Sequence, residues 1–427
     1  EYIVKIVDNG FEGEGIAKID NFTIFIPGTI KGEKVRVLIV KVLSSHGFGK
    51  IVEIIEKSQA RQDVDCNTYK RCGGCNLRHV KYEETLKMKQ NAVQSLVNKT
   101  LKNKLQVRET VGMENPLHYR NKAQYPIGIN KQGEPVIGVF ANRTHEVIPI
   151  DNCLIQNKKS EEIAKFIIEF IKEKNISIYD EKTGKGLVRH IVTKVGIKTG
   201  EIMCVIVING HKIPNENELV ENLKTKYPEI KAIVKNINMK NTNVILGQEN
   251  INIYGNGFIT DKLENLTFKI SPLSFYQVNP TQTEKLYKIG VQSAKITNTD
   301  IVFDLYCGIG TISLFMAQYA KQVYGVEIVE QAIEMARENA KCNNLENTKF
   351  IAGDVEKVLD DLIKKQEIIP DVVMIDPPRK GLDKKSIQNL LDVNPKRLVY
   401  ISCNPSTLVR DLAFFEEKYE IKNITPV

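Results

Sequence analysis

Four apolar runs in the last third of the chain each give way to an acid. They are Ile301–Phe303 before Asp304, Val323–Val326 before Glu327, Ile351–Gly353 before Asp354, and Val372–Ile375 before Asp376. Short apolar runs bounded by turn residues read as buried strands. Helical patterns separate them, one with Ala332, Ala336 and Ala340 at spacings of four. Strands alternating with helices build a parallel sheet. The carboxyl ends of such a sheet share one edge, where ligands collect. Residues 271–427 are therefore restricted to a Rossmann-like α/β domain whose acids line that edge.

After Asp304 the chain runs into Cys307-Gly308-Ile309-Gly310-Thr311 and then a helix from Ile312. Gly308 and Gly310 let a ligand approach the backbone at the helix start. Glu327 lies 23 residues beyond Asp304 (327 − 304), where an acid suits ribose hydroxyls. The turn departs from G-x-G-x-x-G, since Ser313 stands at the third glycine's place. It resembles the S-adenosyl-L-methionine-binding turn of Rossmann-like methyltransferases. A cationic sulfonium also suits an acidic pocket better than a pyrophosphate does. The expected cofactor is S-adenosyl-L-methionine, held by Asp304, Gly308, Gly310, Glu327, Asp354 and Asp376.

Leu398–Ile401 reads as a further buried strand, followed by Ser402-Cys403-Asn404-Pro405. A thiol where a strand gives way to a loop is a candidate nucleophile; the alternative is a core cysteine. The chemistry of the domain favours the nucleophile. Carbon 5 of a pyrimidine is too weak to attack a methyl sulfonium until a thiolate adds at carbon 6. The catalytic expectation is Cys403, with Asp376 and Arg379 of Asp376-Pro377-Pro378-Arg379 beside it.

Residues 1–58 carry short strand patterns broken by Asn9-Gly10, Pro27-Gly28 and Lys31-Gly32. That many strands in so few residues predict a small OB-like barrel. The stretch FEGEGIAKID…IFIPGTIKGEKV resembles a TRAM domain, an RNA-binding barrel. Residues 59–270 alternate helices and strands, including Ser160–Glu173, Leu187–Val195, Ile202–Ile208, Ala232–Ile237 and Asn243–Leu246. Within them, Cys66, Cys72 and Cys75 form C-x5-C-x2-C, with Cys153 the nearest further thiol. Four thiolates suit zinc or an iron–sulfur cluster, and spacing leaves both open. His79 reads as a surface or RNA-facing group. Arg120, Asn121 and Lys122 lie among tyrosines, and Arg189-His190 is a basic pair on a strand; all five are candidate RNA contacts.

The 427 residues carry 60 Lys+Arg against 52 Asp+Glu, a net charge of +8 that permits a polyanionic partner. Eight cysteines in a long chain showing no secretory signal point to reduced thiols and a cytoplasmic protein. No apolar run reaches the ~18 residues of a membrane span. A monomer is expected.

Together these stretches resemble the RumA/TrmA family of RNA 5-methyluridine methyltransferases, most closely its 23S rRNA branch. The resemblance runs through the TRAM-like start, C-x5-CGGC, YRNK, SFYQVN, DLYCGIGTIS, VEIVEQAI, DPPRKG and SCNP. It implies a [4Fe–4S] cluster on Cys66, Cys72, Cys75 and Cys153. It also implies cofactor contacts from Gln277, Tyr306, Glu327 and Asp376, with Cys403 as nucleophile. The family's tRNA branch lacks both the TRAM module and the cluster cysteines. The partner implied is 23S rRNA, its target uridine flipped out of the RNA fold. The family's general base is a Glu beyond the position of Val427, so a truncated chain is expected. A tRNA methyltransferase and a non-catalytic rRNA assembly factor are the alternatives.

Overall fold

Alternating apolar and polar residues near the start form β1 (Tyr2–Lys5), β2 (Asp8–Asn9), β3 (Gly15–Ile19), β4 (Phe22–Ile26), β5 (Lys34–Val42) and β6 (His46–Glu56). The computed structural model describes residues 1–142 and 144–427. Two units divide it, the first holding Glu1–Glu114 and Leu412–Val427 with a short return at Ala141. Its strands run in the order β1-β5-β6-β4-β3-β2. The Val7 amide donates to Ile16 O at 2.8 Å, drawing the ends of the sheet together. Inward side chains Val4, Ile6, Ala17, Ile24, Ile26, Val35 and Val37 form this unit's own core. Glu33, fully buried, is held by the Arg61 guanidinium at 2.6 and 2.8 Å. An unpaired carboxylate there would cost several kcal/mol. Helix α1 (Tyr82–Thr100) buries Thr85, Val93 and Val97. In the same unit the Arg108 and Val111 amides donate to Ile424 O and Pro426 O, tying down the C-terminal stretch.

The second unit contains Asn115–Phe140 and Thr144–Asp411. One of its sheets comprises β7 (Lys122–Ile129), β8 (Pro135–Phe140), β9 (Val147–Pro149), β10 (Val188–Val195), β11 (Ile202–Ile208), β12 (Ile230–Ile237) and β13 (Glu249–Gly255). The order is β13-β12-β11-β10-β7-β8-β9. On one face Ile191, Cys204 and Ile206 pack with α2 (Lys158–Glu173) and α3 (Glu216–Lys226). On the other, Val192, Met203, Val205 and Val207 join a core shared with the hairpin β14 (Ile259–Leu263) and β15 (Leu266–Ile270). Both faces are covered, so every residue of β10 and β11 is buried. Asn243–Leu246, expected as a strand, is irregular; Ile245 and Leu246 plug into the core, and the strand is the more polar β13.

After α4 (Pro280–Ala294) comes a parallel sheet: β16 (Ile301–Leu305), β17 (Gln322–Glu327), β18 (Thr348–Ala352), β19 (Val372–Ile375) and β20 (Arg397–Tyr400). Helices α5 (Thr311–Ala317), α6 (Glu330–Cys342), α7 (Val355–Asp360), α8 (Lys384–Val393) and α9 (Pro405–Phe415) alternate with the strands. The order β18-β17-β16-β19-β20 reverses direction beside β16, the place where open α/β sheets bind ligands. The edge strand β20, expected to be buried, is only half-buried, because one side lacks a partner. No helix among the described residues is long and apolar enough to cross a membrane.

Candidate active site

Parallel pairing sets the register of the carboxyl edge. Leu305 pairs with Val326 and with Ile375, and Ile375 with Tyr400. Tyr306, Glu327, Asp376 and the turn of Cys403 therefore emerge from the ends of successive strands. Asp304, one residue inside β16, is fully buried. Ser313 Oγ donates a very short bond to its Oδ2, while Oδ1 has no partner among the described residues. Burial, then the charges of Asp376 and Glu327, push the Asp304 carboxyl up to about 7 against that bond. Burial pushes Asp376 to about 6. An acid cluster with an orphaned oxygen is short of positive charge, so the site fits a cationic ligand.

Tyr306 has φ +70°, a costly geometry for a residue with a side chain. Its amide and that of Cys307 donate to Val326 O at 2.9 and 3.1 Å, which turns the chain sharply into Gly308. At Gly308 (φ +55°) an added Cβ would meet nothing within 4 Å, leaving a bare approach to the backbone. Gly310 (φ +81°) is required for packing, since a Cβ would sit 3.0 Å from Phe350 and 3.1 Å from Ala336. Glu327 Oε2 accepts from Gly308 N at 3.3 Å, and Oε1 from Val329 N at 3.1 Å. Asp354 has a different local task. It is exposed, and its carboxylate caps α7 by accepting from Glu356 N and Lys357 N.

Gln277 lies on an irregular strap between β15 and α4, with its side chain near the buried Tyr287 hydroxyl. Tyr287 in turn meets Thr311 Oγ1 at 3.1 Å, at the start of α5. The sequence reading did not find Tyr287, which looks like an ordinary core aromatic.

Cys403 is exposed, so the core-cysteine alternative does not hold. Its turn is fixed by its neighbours. Asn404 N donates to Ser402 Oγ at 3.0 Å, Ser402 Oγ donates to Asn404 O at 3.0 Å, and Ser406 N donates to Asn404 Oδ1 at 3.0 Å. The carbonyl of Arg379, itself exposed, accepts from Asn404 Nδ2 and Thr407 Oγ1. Fully buried Asp411 accepts from Tyr400 Oη and Leu382 N, both at 2.8 Å. The two loops that follow β19 and β20 are thus clamped together. Cys204 and Cys307 are excluded as nucleophiles, because burial pushes both thiols up, Cys204 to about 12.

In the first unit, Cys66, Cys72 and Cys75 share a half-buried loop. Cys72 Sγ accepts from Gly74 N at 3.3 Å, and Cys66 Sγ lies 3.4 Å from Thr68 Oγ1. In the second unit, the Asn152 and Cys153 amides donate to the Glu161 carboxylate. Soft sulfur donors in amide-bearing loops fit a thiolate-bound cluster by their chemistry. Among the described residues, no group of three or more His, Cys, Asp or Glu side chains is arranged to hold a metal ion.

Several expected RNA contacts are spent inside the fold. Arg189 is 4% exposed; it donates to Asn238 O and Lys240 O and stacks on Tyr179 at 4.3 Å. His190 is buried, and burial, then Arg189, lower it to about 4, leaving a neutral ring. Asn121 is buried and donates to Gln277 O. Only Arg120 and Lys122 keep partial exposure. His79, expected at the surface, is buried against Tyr69 Oη at 2.7 Å.

The tRNA (uracil-5-)-methyltransferase family model matches residues 81–425, and the TRAM domain model matches residues 1–52. An uncharacterized RNA methyltransferase of Clostridium acetobutylicum is 48% identical over all of this chain and 93% of its own length. One of Staphylococcus aureus is 45% identical over 99% of this chain and 93% of its own. The structure of Pyrococcus abyssi tRNA (uracil-54, C5)-methyltransferase with S-adenosyl-L-homocysteine is similar at TM-score 0.77 and 25% identity. It covers 98% of this chain and 95% of that one.

Proposed function

This chain belongs to the tRNA (uracil-5-)-methyltransferase family, and from that premise we propose that it methylates carbon 5 of a uridine in 23S rRNA through an adduct on Cys403. It is an S-adenosyl-L-methionine-dependent RNA uracil-C5-methyltransferase. S-adenosyl-L-methionine supplies the methyl group as an electrophile on a cationic sulfur. Gln277, Tyr306, Gly308, Gly310, Glu327 and Asp376 would hold it, with the buried Asp304 behind them and the exposed Asp354 at the same strand edge.

The observation that carries the reading is an exposed thiol on a rigid turn, one strand away from the half-buried Asp376. The Cys403 thiolate adds to carbon 6, and the displaced electron pair makes carbon 5 enolate-like. Carbon 5 takes the methyl group. A base then removes the carbon-5 proton, and the electron pair released expels the thiolate and restores the ring. Asp376, when ionised, would attract the cationic sulfonium and so favour its binding, and Arg379 would meet the substrate at the same edge. The RNA is bound by the TRAM domain and by Arg120 and Lys122.

The [4Fe–4S] cluster that the family resemblance implies would be held by Cys66, Cys72, Cys75 and Cys153. No step above uses it. The protein works in the cytoplasm as a monomer. A tRNA substrate is the second reading, favoured by the P. abyssi relative, a tRNA methyltransferase by name.

The test is anaerobic incubation with tritiated S-adenosyl-L-methionine and either unmodified 23S rRNA fragments or a tRNA transcript. 5-Methyluridine in rRNA alone is expected. Label in tRNA alone would overturn the substrate. Labelled RNA without any protein–RNA adduct on a denaturing gel, even with 5-fluorouridine substrate, would overturn the covalent route.

A further inference from the structure

The Ser271–Asn279 strap contains no helix or strand, so its carbonyls need partners from elsewhere. Four of them find donors on β10 or on Asn121, the residue just before β7. Lys194 Nζ donates to Ser271 O and to Ser274 O, both at 2.8 Å. Asn121 Nδ2 donates to Gln277 O at 2.9 Å, and Asn121 N to Val278 O at 3.0 Å. The two donors are neighbours: Lys194 pairs with Lys122 across β10 and β7, and Val195 N donates to Asn121 O. Both side chains are about 95% buried, at 5% and 4% exposed. Burial, then Lys122, lower the Lys194 amine to about 7. The acceptors of this buried amine are carbonyls, with no ion pair to a carboxylate among the described residues. A methionine would fill the same space without that desolvation, so the amine is explained by what it holds.

We propose that Lys194 and Asn121 are positioning residues for methyl transfer: they hold the strap so that Gln277 faces the cofactor. The inference rests on the reading of Gln277 as a cofactor contact. The connection continues from Gln277 to Tyr287 and from Tyr287 to Thr311, beside the Gly308–Gly310 turn. The central sheet thereby sets the geometry of a site on another sheet.

Steady-state kinetics of the full chain test this with Lys194→Met, Asn121→Ala, Gln277→Ala and their double variants. Lys194→Met should raise the KM for S-adenosyl-L-methionine about tenfold and leave the KM for RNA unchanged. In a Gln277→Ala background the same substitution should add less than about twofold, because the group it positions is gone. Lys194→Gln, which keeps a neutral donor, should recover most of the loss and covers the case in which Lys194→Met does not fold. Multiplicative losses in the double variant, or a change in the KM for RNA instead, would make Lys194 a packing residue and overturn the proposal. A Gln277→Ala enzyme with unchanged kinetics would overturn the reading of Gln277 itself, and this inference with it.

Discussion

Two sulfur-bearing turns in this protein are built in opposite ways. Around Cys403 the hydrogen bonds join Ser402, Asn404 and Ser406 to one another and leave the sulfur outside the network. In the Cys66–Cys75 loop the sulfurs themselves take part, Cys72 accepting from Gly74 N and Cys66 lying against Thr68 Oγ1. A nucleophile must be presented by a rigid frame with its lone pair unspent. A metal-binding thiolate needs amides around it that stabilise its charge. Under the proposed function, the first turn would present a sulfur that reacts and the second would offer sulfurs that hold.

The strongest challenge to the contrast is removal of the presented sulfur. Cys403→Ala should lower methyl transfer by at least about 10⁴-fold while S-adenosyl-L-methionine binding, followed by calorimetry, persists. Loss of binding instead would place Cys403 in the scaffold. Asp376→Asn should weaken S-adenosyl-L-methionine binding about 10²-fold by removing the charge that pairs with the sulfonium. The same carboxyl gives a pH signature. Its pKa is raised to about 6, so it is neutral below that pH and ionised above. Affinity for S-adenosyl-L-methionine should fall as pH drops from 7 to 5, and the fall should shrink in Asp376→Asn to the part that belongs to Asp304. An unchanged limb would assign the titration elsewhere.

Cys72→Ser should abolish the visible absorbance of the anaerobically prepared cluster yet leave methyl transfer within about tenfold of wild type. Cys403→Ala should give the reverse pattern. If both variants lose both signals, the division between the two turns fails. The smallest effect belongs to Ser402→Ala. It removes two hydrogen bonds of the turn and should slow transfer only severalfold, on the order of 1 kcal/mol. A null result in single-turnover kinetics would show that the bonds to Asp411, Arg379 and Asn404 hold the turn without Ser402.

Elements whose sequence and environment agree were legible in advance. The glycines of the Gly308–Gly310 turn and the acids at 304, 327 and 376 announce a parallel sheet, because strand ends in such a sheet are short and apolar. Arg189 and His190 misled because a charged pair on a strand usually marks a solvated face. Here β10 is central to a sheet covered on both sides, and stacking on Tyr179 and two carbonyl acceptors hold the guanidinium, while its Nε has no partner among the described residues. Asn243–Leu246 misled for a related reason: an apolar run can plug a core without pairing as a strand. Lys194 left no local signal at all, and Asn121, read as an RNA contact, gave none of its place inside the fold. Asn121 donates to a carbonyl 156 residues away, and any residue could have supplied that acceptor.

The barrel core of Val4, Ile6, Ala17, Ile24, Ile26, Val35 and Val37 shares no residue with the cores of the second unit. That separation has an evolutionary reading. A lineage could lose, duplicate or exchange the barrel without refilling a cavity beneath the methyl-transfer edge. Divergence in what such enzymes select can then proceed by trading modules, while the chemistry descends unchanged.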